Sequence, residues 1–207
     1  KSNDNAGFFT AGCTFPTSVE VTYGETMSEA RFGGQSGDGT FIVDDADKDY
    51  RPVVDDAGKR EVTVRFIPNS PNMGALTQKV KITRVLPRPV IVTVPAQTYE
   101  YGEEINLAYH VNEAQLAQGD TADSLGISLK LQCSTKTGSG RIPAGTYDIS
   151  HSDNNKNYAF TYDLNKVTIT PRPVKAIWSD TKNIVKGQPD EATWSKNGAD
   201  VHVTQLD

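Results

Sequence analysis

The chain has 207 residues, a net charge of −5 and a hydrophobic fraction of 36%, which suits small modules with thin cores better than one large domain. It contains no run of Lys and Arg, so it lacks the basic surface of a nucleic-acid-binding protein. No stretch approaches about 18 consecutive apolar residues, so we expect no membrane insertion in this segment. Because residue 1 is Lys rather than Met, we interpret the sequence as a segment of a longer protein.

A repeated pattern divides the chain into modules. An alternating strand, a Pro-Arg-Pro tripeptide and a further apolar strand occur at 79–90 (KVKITRVLPRPV) and begin again at 166–174 (KVTITPRPV). Pro-x-Pro holds the backbone extended and removes donors that a continuing ladder would need. We therefore predict tandem modules arranged end to end over 8–86, 87–171 and 172–207, of which the third is only partial.

The first module, residues 8–86, is predicted to be an Ig-like β-sandwich, because it combines short alternating strands with frequent turn residues. Residues 8–15 are predicted as the first strand and residues 60–68 as a strand with one buried face. Tyr-Gly-Glu at 23–25 ends a strand, where Gly can supply a positive φ for a turn. The glycine-rich segment 31–39 is predicted to be a loop.

The second module, residues 87–171, is also predicted to be mainly β, as a β-sandwich or a β-grasp-like arrangement with at most one short helix. The helix is plausible only within 113–125, where Gly-Asp interrupts the helix-forming residues. Tyr-Gly-Glu recurs at 101–103, and alternating Tyr and Phe at 158–164 predict a strand that buries a large apolar surface.

The two cysteines, Cys13 and Cys133, each follow an alternating apolar pattern, which places them on inward strand faces. The predicted joints assign them to different modules, whereas a disulfide requires Cα atoms within about 7 Å. We therefore expect two buried thiols that act as small hydrophobic side chains.

An acidic segment is the one candidate metal site. Asp45, Asp47 and Asp49 have the D-x-D-x-D spacing of a calcium loop, with Asp56 at its twelfth position. Tyr50 stands where such a loop requires Gly, and Asp56 is shorter than the usual Glu. The sequence thus favours a solvated acidic loop over a calcium site.

Catalytic chemistry is not indicated. His110, His151 and His202 are isolated, so neither a zinc site nor a Cys-His nucleophile is predicted, and no catalytic or cofactor-binding motif is present.

Two further features to interpret are lysines that could form an isopeptide cross-link and the two tryptophans. An isopeptide cross-link would need a Lys such as Lys79, Lys130 or Lys166 buried beside an Asn or Asp and an acidic catalyst. Trp178 and Trp194 suit core positions of the partial third module better than exposed sugar platforms.

Residues 88–170 resemble the MBG domain (YGX type), a repeat of bacterial surface proteins. The matching pieces are Tyr101–Glu103, Gly119–Thr121, Pro143–Ile149, Asn157–Tyr162 and Lys166–Pro171. Residues 8–86 resemble a related bacterial Ig-like repeat through Tyr23–Glu25, Gly39–Phe41 and Val64–Pro68.

The resemblance implies a non-enzymatic, extracellular repeat of a secreted or cell-wall-attached adhesin, with no catalytic or ligand residues to transfer. We predict a semi-rigid stalk or spacer, monomeric as a fragment. The alternative is a module that binds host or community glycans or proteins through the glycine-rich loops 32–39 or 134–141.

Overall fold

The computed structural model describes residues 12–173. They are mainly β, with open sheets and no helix of 7 or more residues, which confirms the predicted fold class. Within them, no helix has the length and hydropathy that crossing a membrane requires. The expectations for Trp178, Trp194, His202 and nearly all of the third module lie outside the described residues.

The strands of the described residues are numbered in chain order. They are β1 (Ser18–Thr22), β2 (Arg31–Gly33), β3 (Gly39–Val43), β4 (Glu61–Pro68), β5 (Leu76–Lys81), β6 (Arg84–Leu86), β7 (Arg88–Val94), β8 (Gln97–Glu100), β9 (His110–Val111), β10 (Ser128–Leu131), β11 (Gly145–Tyr147), β12 (Ile149–Ser152), β13 (Tyr158–Leu164) and β14 (Val167–Thr170). Four short 3-10 helices lie at Met27–Glu29, Val54–Asp56, Glu113–Gln115 and Ala122–Leu125.

The described residues pack into two compact units. One contains 12–95, 108–130 and 150–164; the other contains 96–107, 131–149 and 165–173.

The first module, described over residues 12–86, has two three-stranded sheets within the first unit. One has the order β2-β1-β6, with β1 antiparallel to β2 and parallel to β6. The other is the antiparallel sheet β3-β4-β5. Side chains from both sheets share one apolar core, which is the arrangement of a β-sandwich. Its buried members are Val19, Val21, Met27, Val43, Val62, Val64, Val80, Ile82 and Val85.

The period-two alternation of β4 gives the buried face that the sequence predicts, since Val62, Val64 and Phe66 are all fully buried. The predicted strand at 8–15 is wrong in its described part. There the chain makes only an isolated bridge between Thr14 and Ser36, because Pro16 interrupts the ladder just before β1.

The glycine-rich segment is partly a strand and partly a tight cover over Phe66. Its first residues form β2, so the loop prediction for 31–39 is too long. A Cβ on Gly39 would lie 2.3 Å from the Ile67 carbonyl oxygen and 2.6 Å from the Phe66 ring, and one on Gly37 would lie 3.0 Å from that ring. Glycine is therefore required here by close packing.

The rest of the first unit is organised on β7. This strand runs parallel to β13 over seven residue pairs and antiparallel to β9. Two 3-10 helices stand where the sequence allows at most one short helix within 113–125, because Gly119, at φ 94°, separates them. Val90 of β7 belongs to a buried apolar cluster whose other members are Leu116, Ala117, Leu125 and Tyr158. Strands β10 and β12 form a separate two-stranded pair.

The second unit contains the sheet β11-β14-β8, in which β14 is parallel to β8 and antiparallel to β11. Val167 and Ile169 are its buried alternating residues. Segment 134–141 has no strand or helix, as predicted for a loop.

Replacing Gly39 by Ala should destabilise the first module by about 1–3 kcal/mol, because its Cβ would collide with the Ile67 carbonyl and the Phe66 ring. Gly74 has open space around its Cβ position, so Gly74→Ala should stay within about 0.5 kcal/mol of the parent chain. Chemical denaturation followed by far-UV circular dichroism measures both. Equal stability of the two variants would contradict the packing role of Gly39.

Candidate functional site at the Pro-Arg-Pro joint

The first Tyr-Gly-Glu forms a closed turn at the end of β1. The Glu25 amide donates to the Thr22 carbonyl (3.0 Å), and the Thr22 amide donates to the Glu25 carboxylate (2.7 Å). Gly24 has φ 91°, which favours glycine. The sequence-based expectation of a positive φ is confirmed.

The second Tyr-Gly-Glu forms the same turn at the end of β8. The Glu103 amide donates to the Glu100 carbonyl (3.0 Å), the Glu100 amide donates to the Glu103 carboxylate (2.6 Å), and Gly102 has φ 97°. The repeat in the sequence is therefore a repeat of one local structure.

Each turn is bonded to the residue that precedes a Pro-Arg-Pro. The Tyr23 amide donates to the Leu86 carbonyl (2.9 Å), and the Tyr101 amide donates to the Thr170 carbonyl (2.8 Å). Both bonds extend a parallel strand pair, β1 with β6 and β8 with β14. The chain consequently leaves each of these sheets directly beside a Tyr-Gly-Glu turn.

At the first Pro-Arg-Pro, one carboxylate joins residues of the two predicted modules. The Tyr23 and Tyr158 hydroxyls both donate to Oδ2 of Asp120, at 3.0 and 2.6 Å. The two rings meet edge to face, with centroids 5.3 Å apart, a favourable aromatic geometry. The Ala117 amide donates to the Tyr158 hydroxyl at 2.9 Å.

Burial and charge keep both phenols protonated. The pKa of Tyr158 is raised above its ordinary value, chiefly by burial and then by the hydrogen bond to Asp120. The pKa of Tyr23 is raised for the same reasons, again with burial first. Protonated phenols are the donors that this shared carboxylate requires.

Two arginines flank the turn. Arg51 Nη1 donates to the Gly24 carbonyl, and its Nη2 donates to Oε1 of Gln118 at 3.0 Å. Arg88, the arginine of the first Pro-Arg-Pro, donates from Nε to the Gln115 carbonyl at 2.5 Å. The backbone on both sides of the joint is thus held by guanidinium groups.

At Gly24 the turn packs tightly against Ala117 and Arg88. A Cβ there would lie 2.9 Å from the Ala117 Cβ and 3.1 Å from Arg88 Nη1. We use the term first joint for Tyr23, Gly24, Arg51 and Arg88 together with Ala117, Gln118, Asp120 and Tyr158. An additional hydrogen bond runs nearby, from the Val54 backbone amide to the side-chain oxygen Oδ1 of Asn157 at 3.0 Å.

The second module contributes several residues to this joint. These residues lie within a domain of a known family. Residues 90–168 match the family model of the MBG domain (YGX type). The match confirms the resemblance predicted for this part of the chain, and it leaves the Ig-like kinship of residues 8–86 a prediction. The comparison with curated proteins returns no match.

The MBG domain is a bacterial surface-repeat family, and it is a structural repeat rather than an enzyme family. Asp120 lies in its Gly-Asp turn and Tyr158 begins its long strand β13, so both joint residues come from pieces that carry the resemblance.

The acidic segment does not assemble a calcium loop. Asp47 Oδ2 accepts the Thr63 amide at 2.7 Å and lies 3.8 Å from Lys79 Nζ, and the pKa of Asp47 is lowered chiefly by that amide. Asp45 instead pairs with Lys48 at 3.0 Å. The two carboxylates therefore serve separate local contacts.

Asp56 closes a turn of its own, since its Oδ2 accepts the Tyr50 hydroxyl at 2.7 Å and the Val53 amide at 2.9 Å. Asp49 is exposed. Across residues 12–173, no three His, Cys, Asp or Glu side chains form a group that could hold a metal ion.

Both cysteines are free thiols, but they are only half-buried, so the prediction of buried thiols is wrong. Cys13 lies in the part of the chain that makes only an isolated bridge, and Cys133 lies beyond the end of β10. Neither position has a full strand environment around it.

The remaining candidates lie at the surface. Lys79, Lys130 and Lys166 are exposed, and Lys166 pairs with Asp148 at 2.7 Å in solvent, so none meets the burial that an isopeptide bond needs. His151 is also exposed and stacks on Tyr162.

The Pro-Arg-Pro pattern indicates where the joint lies but not which side chains meet there. Arg88 stood in the Pro-Arg-Pro pattern, and Tyr23–Gly24 stood in the repeated turn, so both carried a signal. Arg51 carried no repeated signal of its own, and its role depends on tertiary proximity to Gly24.

Replacing Gly24 by Ala should cost more stability than replacing Gly58 by Ala. Both glycines have positive φ, but the Cβ position at Gly58 is open whereas that at Gly24 meets Ala117. Each variant should lose on the order of 1–3 kcal/mol to backbone strain, and Gly24→Ala about 1–3 kcal/mol more to the collision. Urea denaturation measures the difference; identical losses would show that Ala117 does not press on Gly24.

Replacing Tyr158 by Phe should destabilise the chain by about 1–3 kcal/mol near neutral pH, because the buried Ala117 amide loses its acceptor. Tyr162→Phe removes only a hydrogen bond to exposed Asp153 and should cost less. The comparison is made by denaturation at neutral pH, and equal costs would count against the buried network.

The same network predicts an alkaline loss of stability. A phenol with a raised folded pKa loses its proton more readily once unfolded, so the free energy of unfolding is unchanged below about pH 10 and falls above it. Denaturation between about pH 8 and about pH 11 should show a shallower fall in Tyr158→Phe than in the parent chain.

Proposed function

We propose that this chain is a non-enzymatic, extracellular repeat segment of a bacterial surface protein and acts as a semi-rigid spacer. The observation that carries the proposal is the first joint, where the shared Asp120 carboxylate and the Gly24–Ala117 contact tie the first module to the beginning of the MBG domain. A linker without such contacts would behave as a flexible coil.

The chemistry of the joint supports stiffness. Its contacts combine a buried amide-to-phenol bond, two phenol-to-carboxylate bonds and an edge-to-face ring pair. Charge-assisted bonds in a partly desolvated site are stronger than neutral ones in water. Opening the joint would have to break the Tyr23–Asp120 bond, the Tyr23–Tyr158 ring contact and the Arg51–Gln118 bond. The Tyr158–Asp120 and Ala117–Tyr158 bonds lie within the second module and hold the shared carboxylate and phenol in place.

The glycines of segment 32–39 have a structural role that needs no ligand, whereas segment 134–141 is only partly explained by its contacts within the chain. In 32–39, the glycines permit close contact with Phe66. In 134–141, Arg141 donates to the Gly102 carbonyl at 2.7 Å, and a cleft beside it is lined by Glu103, Ile105 and Ile142. This cleft keeps glycan or protein binding as the second candidate function.

A cell-surface display experiment tests the spacer role. The full chain is placed between a surface anchor and a terminal epitope, and antibody access to the epitope is compared with that of a Gly/Ser linker of equal length. The chain should give the greater access, since a flexible coil returns often to the surface whereas a fixed joint does not.

The matched variants are Arg51→Ala with Asp120→Asn, which loosens the joint, and Arg84→Ala, an exposed arginine outside the joint. Only the first should reduce access. Equal access for the coil linker refutes the spacer role. Saturable binding to a glycan array or to mucin, abolished by Arg141→Ala, would favour the second candidate.

A further inference from the structure

A second contact joins the two modules away from the Asp120 carboxylate. The Val54 backbone amide, at the start of the 3-10 helix Val54–Asp56 in the first module, donates to Oδ1 of Asn157 at 3.0 Å. Asn157 directly precedes β13 in the second module. Both residues belong to the first compact unit. The Asn157 side chain is therefore an attachment between the modules that is separate from the shared carboxylate.

Hydrogen bonds fix the backbone of Asn157 from two sides. Its carbonyl accepts the Arg88 amide at 2.9 Å, within the Pro-Arg-Pro segment, and its amide donates to Oδ1 of Asn155 at 3.1 Å. The next residue, Tyr158, pairs with Arg88 in the parallel register of β7 and β13. The side chain that meets Val54 thus projects from a backbone that is itself fixed, which a precise contact requires.

Asn157 and Tyr158 are neighbours in the chain but attach to the first module in different surroundings. Tyr158 is only 5% exposed and lies in a buried apolar cluster, from which its hydroxyl reaches Asp120. Asn157 instead borders a polar cleft of about 430 Å³, which Val53 and Asp55 of the first module also line. The two attachments consequently lie at different places around the start of β13.

A second attachment changes the motions that the joint allows. A body held by the covalent chain and by one further contact can still turn about the line that joins these two points. Another contact away from that line removes the rotation. The bond of Tyr23 to the Asp120 carboxylate is the one contact, and the bond of Val54 to Asn157, at the cleft, is the other.

We propose that Asn157 is a positioning residue, which fixes the rotation of the first module against β7 and β13 through its bond to Val54. The inference rests on the proposed spacer function and deepens it, because a stiff joint must resist rotation as well as bending. It assigns that resistance to one side-chain oxygen outside the group of residues that we named the first joint.

An ion pair beside this bond is too exposed to fix the rotation by itself. Lys156 Nζ lies 3.8 Å from Oδ1 of Asp55, and the two side chains are 73% and 67% exposed. Solvated ion pairs of this kind contribute little to stability. Val54 and Asn157 are both half-buried, and a partly buried amide that loses its acceptor carries a larger cost. The hydrogen bond to Asn157 is therefore the contact to test.

Distance measurements by pulsed electron paramagnetic resonance on the full chain test the role of Asn157. Cys13→Ser and Cys133→Ser first remove the native thiols. Spin labels are then attached at Gln78→Cys in the first module and Thr161→Cys on β13, both exposed positions. In Asn157→Ala, the population outside the main distance peak should rise about fivefold over that of the parent chain, as expected for the loss of one hydrogen bond.

A second label pair, Glu61→Cys with Thr161→Cys, is measured in every variant, because a rotation that leaves one distance unchanged alters the other. Glu61 is also exposed. Far-UV circular dichroism checks that each variant is folded. Asn157→Ser, which keeps a polar but shorter side chain, is measured beside Asn157→Ala and should give a similar rise.

Two matched variants should leave the distances as narrowly distributed as in the parent chain. Asn157→Asp keeps an acceptor oxygen for the Val54 amide. Asn154→Ala shortens an exposed asparagine of the same loop, whose Oδ1 lies beside Gly126 of its own module. The first variant tests whether the acceptor matters, and the second tests whether its position does.

The outcomes separate the positioning role from the spacer function. Unchanged distributions of both label pairs in Asn157→Ala and Asn157→Ser overturn the positioning role and leave the spacer function standing. Equal broadening in Asn157→Asp or in Asn154→Ala also overturns it, because the acceptor or its position would then be irrelevant. A broad distribution in the parent chain itself counts against a stiff joint, and with it the spacer function.

Discussion

One carboxylate oxygen is shared by two phenols that are far apart in the sequence. Oδ2 of Asp120 accepts from Tyr23, 97 positions away, and from Tyr158, 38 positions away. A carboxylate that is partly withdrawn from water needs such donors, and the phenols need an acceptor once their rings are packed. The Gly24 turn, the Arg51 hydrogen bond and the Pro-Arg-Pro segment all bring backbone close to this carboxylate. The first joint therefore depends on the Asp120 carboxylate.

The sequence was informative wherever the determinant was local. The alternation of Val62, Val64 and Phe66 depends only on the two-residue period of a strand, and the positive φ of Gly24 and Gly102 follows from one turn type. The MBG resemblance likewise depended on short pieces in order, and residues 90–168 match that family. These features are written in neighbouring residues, so a single sequence is enough to find them.

Tertiary partners were not predictable in the same way. The spacing of Asp45, Asp47 and Asp56 suggested a common ligand, yet Asp47 faces the Thr63 amide and Asp56 the Tyr50 hydroxyl. Spacing sets the distance along the chain, but the direction of each carboxylate is decided by which donors the fold brings near it. The half-burial of Cys13 and the role of Arg51 were missed for the same reason, because each depends on residues distant in sequence.

The parallel pairing of β7 with β13 has a mechanical consequence. Strand β7 receives the chain from the first joint, and β13 leads into β14 and the second Pro-Arg-Pro. Tension applied at Arg88 and Leu164, the outer ends of this strand pair, would pull the parallel strands in opposite directions along their common axis. The load would then fall as shear on the seven paired residues together, rather than opening the ladder one bond at a time, and the lifetime under load would be governed by the unfolding rate.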